Sequence, residues 1–372
     1  MIFWKSDHNV RIIIALLCIA ILIPVSYADD STRTITDALG RTVIIPQNPD
    51  SVICSGSGCL RYLTYLQGLE KVIGVDDIEI KNSPFESRPY ALAHPELATL
   101  PVFGEFRGID DPEKIVMLDP DVIFKVMTTE EDADELAAKT GIPVVALNYG
   151  DLFLLRTDMN QALRIMGDVI GASDRAEEVI AFFEERIEDL NSRTAEISED
   201  DKKNVYVGGV SYAGAHGIVS TDAGYPPFLM VNAKNLAGNL GIGHVDVAKE
   251  QVIDWNPDIL FVDLGTLQLQ GERADVISEI ADDPSFAIIN AVSNHEIFGL
   301  LPYNYYNTNQ GSVIADAYYV GKILYPKQFE DINPESEADE IYEFLVGKKV
   351  FSQLNQNAIA GLGFTHIDPA SV

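Results

Sequence analysis

The sequence predicts an α/β protein of two lobes, each with a mostly parallel sheet flanked by helices, joined by one long rigid α-helix. Three observations carry this expectation. Short β-branched runs alternate with helical patterns in both halves of the chain, the signature of parallel βαβ order. After Asn148 that alternation stops, and no strand candidate appears before Val205. A repeated unit also occurs once in each half. Glu113-Lys-Ile-Val-Met-Leu-Asp-Pro-Asp-Val-Ile-Phe124 matches Glu250-Gln-Val-Ile-Asp-Trp-Asn-Pro-Asp-Ile-Leu-Phe261 at Glu, Pro, Asp and Phe without a gap. Each copy is a short helix stopped by proline, a turn and a buried strand.

Residues 1–28 have the pattern of a secretion signal. Lys5 and Arg11 precede an apolar run from Ile12 to Val25, and Ser26-Tyr27-Ala28 places small residues at a cleavage site. The run is shorter than the roughly 20 residues a spanning helix needs, so a retained anchor is the lesser alternative. Cys18 follows Leu17, too bulky for a lipoprotein cleavage site, and belongs with the signal. The rest of the chain exceeds one core, so two domains are expected. They are an N-terminal lobe at 29–155 and a C-terminal lobe with a C-terminal helix at 199–372, with connecting helices at 156–198. The location implied is periplasmic or on the outer face of the membrane, with membrane association if the signal is retained.

In the first half the predicted strands are Val43 to Ile45, Val52 to Cys54, Val72 to Val75, Val122 to Lys125 and Val144 to Leu147, with helices at Leu60 to Leu69 and Glu130 to Thr140. The first connecting helix is expected from an Asp158 cap to about Ile170, stopped by Gly171, and Ser173 is expected to cap the second. That second helix carries Ala176, Val179, Ile180, Phe183, Ile187 and Leu190 on one stripe. The second half resumes with strands at Val205 to Gly208, Ile259 to Asp263 and Glu296 to Leu300. Helices are expected around Phe228 to Leu240, Arg273 to Ile280, Ser312 to Leu324 and Glu337 to Gly347.

The 26 basic and 57 acidic residues give a net charge of −31. A nucleic-acid partner is thereby excluded, because phosphate binding needs a basic face. Cys54 and Cys59 are compatible with a small disulfide or with two buried thiols, and C-x4-C matches no zinc or redox spacing.

Together these features resemble the cobalamin, ferric-siderophore and haem binding proteins of ABC importers, whose lobes are joined by one long helix. The residues that carry the resemblance are Thr36-Asp-Ala-Leu-Gly-Arg-Thr-Val43, the loop Ser51 to Leu60, Phe103-Gly-Glu-Phe-Arg107 and both repeated units. The stretches Gly299 to Asn309 and Ala315 to Pro326 look like a subgroup labelled iron-complex receptors. The resemblance implies a monomeric receptor with no intrinsic cofactor. It would capture a ferric chelate or a corrinoid, or alternatively a molybdate or tungstate oxyanion, and deliver it to a permease and its ATPase subunits. It also implies that Glu113 and Glu250 contact the permease.

Ligands of doubly wound lobes sit at the carboxyl ends of strands, which directs attention to four loops. Ser55-Gly-Ser-Gly58 opens a helix, and its Ser55, Ser57 and backbone amides suit an anion or carbonyl, although a tight turn would use the same residues. It is not a dinucleotide fingerprint, because Arg61 stands where the third glycine belongs. Phe106 offers a flat face, and Arg107 suits a carboxylate or phosphate unless it merely pairs with Glu105 or Asp110. Tyr212 and His216 are candidates to ligate a ferric centre or bond a chelate, or else to wall the cleft and settle within their own loop. Tyr303, Tyr305, Tyr306 and Asn307, with Asn304, form the strongest candidate, because aromatic walls suit a macrocycle or catecholate and phenolates suit iron(III). Tyr212 and Tyr305 are the candidate metal ligands. Tyr318, Tyr319 and Tyr325 lie at helical spacing and are expected to pack.

Enzyme readings fit poorly. Gly209-Val-Ser-Tyr-Ala213 approximates a nucleophile elbow with Ser211 as attacker and His295 or His366 as base, but the following glycines and prolines indicate a loop where an elbow requires a helix. The chain has no Walker loop or H-E-x-x-H motif, so the expectation is a receptor and not an enzyme.

Overall fold

The computed structural model describes Met1 and residues 31–81, 83–269 and 275–370. The signal segment, and the first two residues of the helix expected at Arg273, lie outside the described residues.

Among the described residues, beside two small antiparallel pairs, Thr32–Thr36 with Thr42–Pro46 and Ser220–Asp222 with His244–Asp246, two larger sheets form. In the first, the strands run in the order Ile109–Asp110, Val102–Glu105, Val72–Asp76, Val52–Ser55, Val122–Val126 and Val144–Leu147. All neighbours are parallel except the two-residue edge strand Ile109–Asp110. Val52–Ser55 and Val122–Val126 are buried along their whole length, as expected of strands covered on both faces. The second sheet orders Lys234–Asn235, Asn204–Gly208, Ile259–Asp263 and Ile297–Leu300, all parallel. The helix Ser173–Thr194 has 22 residues, and the stripe from Ala176 to Leu190 is buried as the periodicity predicts.

The repeated unit is visible at the level of single bonds. The helices Pro112–Leu118 and Lys249–Trp255 both end in left-handed residues, Asp119 and Asn256. Asp121 then accepts the amides of Asp50 and Ser51, and Asp258 accepts that of Asn204. Each aspartate thus ties the start of its own strand to the neighbouring strand.

Several local expectations change. Val43–Ile45 lies in an antiparallel hairpin, Thr32–Thr36 with Thr42–Pro46, and not in the parallel sheet. The buried Asp37 closes the hairpin turn by accepting the Arg41 guanidinium, and it docks the turn on the sheet by accepting the amide of Ala146. The helix expected over 228–240 is confined to Pro226–Met230, because Asn232 turns left-handed (φ 51°) and the chain then pairs beside Asn204–Gly208. Leu155 and Ala172, and not Asp158 and Ser173, occupy the caps of the two connecting helices. The helix from Leu60 is shorter than expected, at Cys59–Tyr65.

A large apolar core runs through both lobes, the connecting helices and the C-terminal helices, and a smaller one in the first lobe gathers Ile53, Phe103, Ile115 and Ile123. The helix Pro334–Val346 packs on Gln310–Leu324 and also on Cys59–Tyr65 and Pro89–Ala93 of the first lobe. Arg175 of the connecting helix donates to the Phe344 carbonyl, and His94 of the first lobe hydrogen-bonds that of Val346 at 2.9 Å. A core shared in this way opposes large hinge motion, since separating the lobes would expose apolar surface to water.

Candidate functional site

The carboxyl ends of the two sheets face a common cleft. On the first lobe, the strand Val52–Ser55 turns sharply into the helix Cys59–Tyr65 through Gly56 and Gly58, both at φ 90°. A side chain at Gly58 would lie 2.3 Å from the Tyr149 ring, so only glycine fits both the backbone and the space. Ser57 Oγ donates to the Phe106 carbonyl (2.9 Å), and the Phe106 amide donates to Asp77 (2.9 Å). The Phe106 ring is thereby fixed at the cleft, with Lys81 Nζ 4.7 Å and the Arg107 guanidinium 5.3 Å from its centroid.

The second lobe contributes the loop between the strand Ile297–Leu300 and the helix Gln310–Leu324. Its base is tied by the Leu301 amide donating to the buried Asp316 (2.9 Å). Tyr306 and Asn307 both adopt left-handed backbone, with φ 49° and 80°. Such conformations cost of order 1 kcal/mol for non-glycine residues and persist where the surroundings over-determine them. Here the loop crosses to the first lobe. Asn307 donates to the Ser57 carbonyl (3.0 Å), Tyr305 donates to Ser83 Oγ (3.0 Å), and Tyr306 meets Phe106 edge to face with centroids 4.8 Å apart. Asn304 donates to the Ser211 carbonyl (2.8 Å) and holds the adjacent loop of its own lobe.

The cavity bounded by these loops has a volume of about 700 Å³. Of the predicted residues, Ser57, Phe106, Arg107, Tyr305, Tyr306 and Asn307 line it together. Asn304, Gln268, Met127, Ser211, Ala213 and Gly214 complete the wall. Gln268 and Met127 carry no local motif, and their only sequence signal is a position just beyond a predicted strand.

Other predicted residues stand elsewhere. Ser55 is buried under the turn, donating to Asp110 (2.7 Å) and accepting from Lys125 (3.2 Å). Tyr303 points into the core against Tyr225, and burial, followed by the charge of Asp222, pushes its phenol well above the ordinary tyrosine range. Tyr212 is exposed and stacks on His244 at 4.4 Å, while His216 hydrogen-bonds the Tyr212 carbonyl at 2.7 Å. Neither lines the cavity. Burial raises the Tyr305 phenol to about 12, and its hydroxyl is engaged with Ser83 Oγ. Among the described residues no group of three or more His, Cys, Asp or Glu is placed to hold a metal ion.

Cys54 and Cys59 are buried free thiols, and burial pushes the Cys59 thiol up. Ser211 Oγ is buried without a hydrogen-bond partner, while His366 is engaged with the His295 carbonyl, so no nucleophile–base pair forms. Beneath the cleft, the buried Arg88 binds Glu79 (2.8 Å) and Glu86 (2.7 Å), and its guanidinium lies 5.9 Å from the Tyr306 ring centroid. A groove of about 800 Å³ at the junction of the connecting helices is larger, but its cations are already engaged. Arg33 binds Asp168, Lys71 the Pro49 carbonyl, and Arg175 the Tyr65 carbonyl. The interlobe cleft is therefore the better candidate.

Comparisons with known proteins agree with this architecture. The family model described as periplasmic binding protein matches residues 60–303. The molybdate-binding protein MolA of Haemophilus influenzae is 24% identical over 354 residues, covering 88% of this chain and 95% of the relative. Its molybdate-bound structure superposes with a TM-score of 0.65 at 20% identity, covering 85% of this chain and 98% of that one. A periplasmic solute binding protein of Veillonella parvula gives 0.69 at 16% identity, covering 88% and 97%. The periplasmic heme binding protein HutB of Vibrio cholerae gives 0.54 at 16% identity, covering 74% and 99%. With its two sheets, single long helix and interlobe cleft, this chain belongs to the periplasmic binding protein family, the solute-binding components of ABC transporters, and is not an enzyme.

Proposed function

We propose that this receptor captures a chelated metal, a ferric siderophore-type complex or a corrinoid, between its lobes and passes it to a membrane permease. The observation that carries this reading is the cleft itself: about 700 Å³, walled by Phe106, Tyr305 and Tyr306, with Arg107 as its guanidinium. That volume falls within the range of pockets that enclose ligands of several hundred daltons, and a bare tetrahedral oxyanion would fill a small part of it. The polar lining of hydroxyls, carboxamides and one guanidinium suits a chelate's carboxylate, catecholate or amide oxygens.

A second reading, molybdate or tungstate, is favoured by the relative MolA, which binds molybdate, and by Arg107, a cation in the lining of the cavity that suits an oxyanion. A calorimetric panel of ferric siderophores, cobalamin, haem and molybdate separates the two. Tight binding of a chelate supports the first reading, and tight binding of the oxyanion alone overturns it. We further propose lobe boundaries near 155 and 199, and a permease-facing role for the exposed Glu113 and Glu250.

A further inference from the structure

Arg61 lies on the short helix that follows the glycine turn, and it is 1% exposed. A buried guanidinium is costly unless its donors are met, and carboxylates are its usual partners. Arg88, a neighbour in the same lobe, follows that pattern with Glu79 and Glu86. Arg61 does not. Its hydrogen bonds go to neutral oxygens: the Thr308 carbonyl (2.8 Å), the Tyr305 carbonyl (3.4 Å) and the Tyr149 hydroxyl. The Tyr149 hydroxyl in turn donates to the same Thr308 carbonyl (2.7 Å). Tyr149 is held by stacking on Tyr62 at 4.4 Å, and the Tyr62 hydroxyl donates to the Tyr149 carbonyl. The rings of Tyr90 and Tyr149 lie 5.5 and 5.8 Å from the guanidinium carbon and supply negative faces in place of a carboxylate.

Tyr305 and Thr308 belong to the other lobe, and they flank Tyr306 and Asn307 in the loop that lines the cleft. Apart from the Tyr149 hydroxyl on that same Thr308 carbonyl, the ties between this loop and the first lobe use loop side chains, namely those of Tyr305, Tyr306, Asn307 and Asn309. Arg61 grips the loop backbone and holds it whatever those side chains do. We infer that Arg61 is a positioning residue, a latch that seats the ligand-lining loop of the second lobe on the first and couples lobe separation to disassembly of the site. The inference rests on the cleft being the ligand site. A permease that spreads the lobes must draw the Tyr305 and Thr308 carbonyls off Arg61, and in doing so it removes two aromatic walls from the ligand.

The test needs no ligand. Amide hydrogen exchange, resolved on the segment 303–309, is compared in the wild type, Arg61→Met and Arg61→Lys proteins, with the radius of gyration from solution scattering. Arg61→Met is expected to speed exchange in 303–309 by about tenfold or more while the strands Val52–Ser55 and Val122–Val126 keep their protection. The radius of gyration should rise, and Arg61→Lys should fall between the two. Unchanged exchange in 303–309, or equal loss of protection in those strands, overturns the latch, because a residue that only fills the core would loosen its own lobe first. If Arg61→Met does not fold, Tyr149→Phe removes the second donor to the Thr308 carbonyl; it must accelerate exchange in the same segment, and unchanged exchange again overturns the inference. Failure of the cleft as a ligand site would show separately, as an absence of binding by the wild type across the calorimetric panel.

Discussion

Asn307 Nδ2 donates to the Ser57 carbonyl at 3.0 Å, so a carboxamide in the left-handed region of one lobe's loop closes onto the glycine turn of the other. Asparagine tolerates φ of 80° better than other side chains, and glycine tolerates it without cost.

The two contributions of Asn307 can be separated by substitution. Asn307→Gly should lose the interlobe bond and the bond that the side chain accepts from the Thr308 amide, while Asn307→Ala should lose both and add backbone strain. Chemical denaturation should therefore place the alanine variant about 1 kcal/mol below the glycine variant. Equal stabilities would mean that the loop relaxes out of the left-handed conformation.

Arg107 is the guanidinium of the cavity wall. Arg107→Ala should weaken an anionic ligand more than about tenfold and flatten the salt dependence of its affinity. Arg107→Lys should recover part of the loss, since a point charge replaces a planar fork. Titration calorimetry at low and high salt measures both. A neutral ligand should be little affected by either change.

Most strands that build the two larger sheets were legible because buried parallel strands are near-continuous apolar runs rich in β-branched residues, as in Val144–Leu147 and Ile259–Asp263. The strand Val102–Glu105 was not, because Pro101 precedes it and Gly104 interrupts it. That glycine is required where the Ile109 carbonyl would lie 2.7 Å from a side chain. In the 303–307 stretch, tyrosine chemistry marked the loop but not the direction of each ring. Tyr303 and Tyr306 differ only in where the backbone turns, and the left-handed Tyr306 sends its ring to Phe106 while Tyr303 packs on Tyr225. Arg61 was visible as the residue that breaks a glycine fingerprint, but its partners on the other lobe lie 244 and 247 positions away and have no local signature.

Stability should also respond to pH through Asp263, whose carboxyl is fully buried and raised to about 7 by desolvation. The folded protein keeps this proton where the unfolded chain, with an ordinary carboxylate, has released it. Its contribution is therefore fully present below about pH 4 and is lost as pH rises toward 7, at up to about 1.4 kcal/mol per pH unit. Asp263→Asn removes the titration and keeps an acceptor for the Gly265 amide. Urea midpoints at pH 5 and pH 7.5 should show the variant gaining on the wild type at the higher pH. A constant difference would mean that Asp263 titrates alike in both states.

Glu113 and Glu250 occupy the second position of two helices that are equivalent by sequence and by bonding, one on each lobe, and both are exposed. A carboxylate in a first helical turn complements the helix dipole, worth about 0.3–1 kcal/mol, and that effect needs no partner. Local capping does not require matched acids on the two lobes, whereas a two-point seat on a permease does. Met117, one turn beyond Glu113, is 85% exposed, so the first of these helices presents an apolar knob beside its charge. An acid with an adjacent apolar contact is the pattern expected of a surface that binds a basic, partly apolar partner. Changing Glu113 and Glu250 together to lysine reverses both charges at positions remote from the residues that line the cleft. Ligand affinity of the purified double variant should stay within about twofold of the wild type, and uptake through the reconstituted importer should fall at least about tenfold. Each single reversal should show a partial loss, because one anchored lobe still raises the effective concentration of the other. Transport that survives the double reversal rules out docking through these residues, and affinity lost together with transport would place the damage in the fold or the cleft instead of the contact.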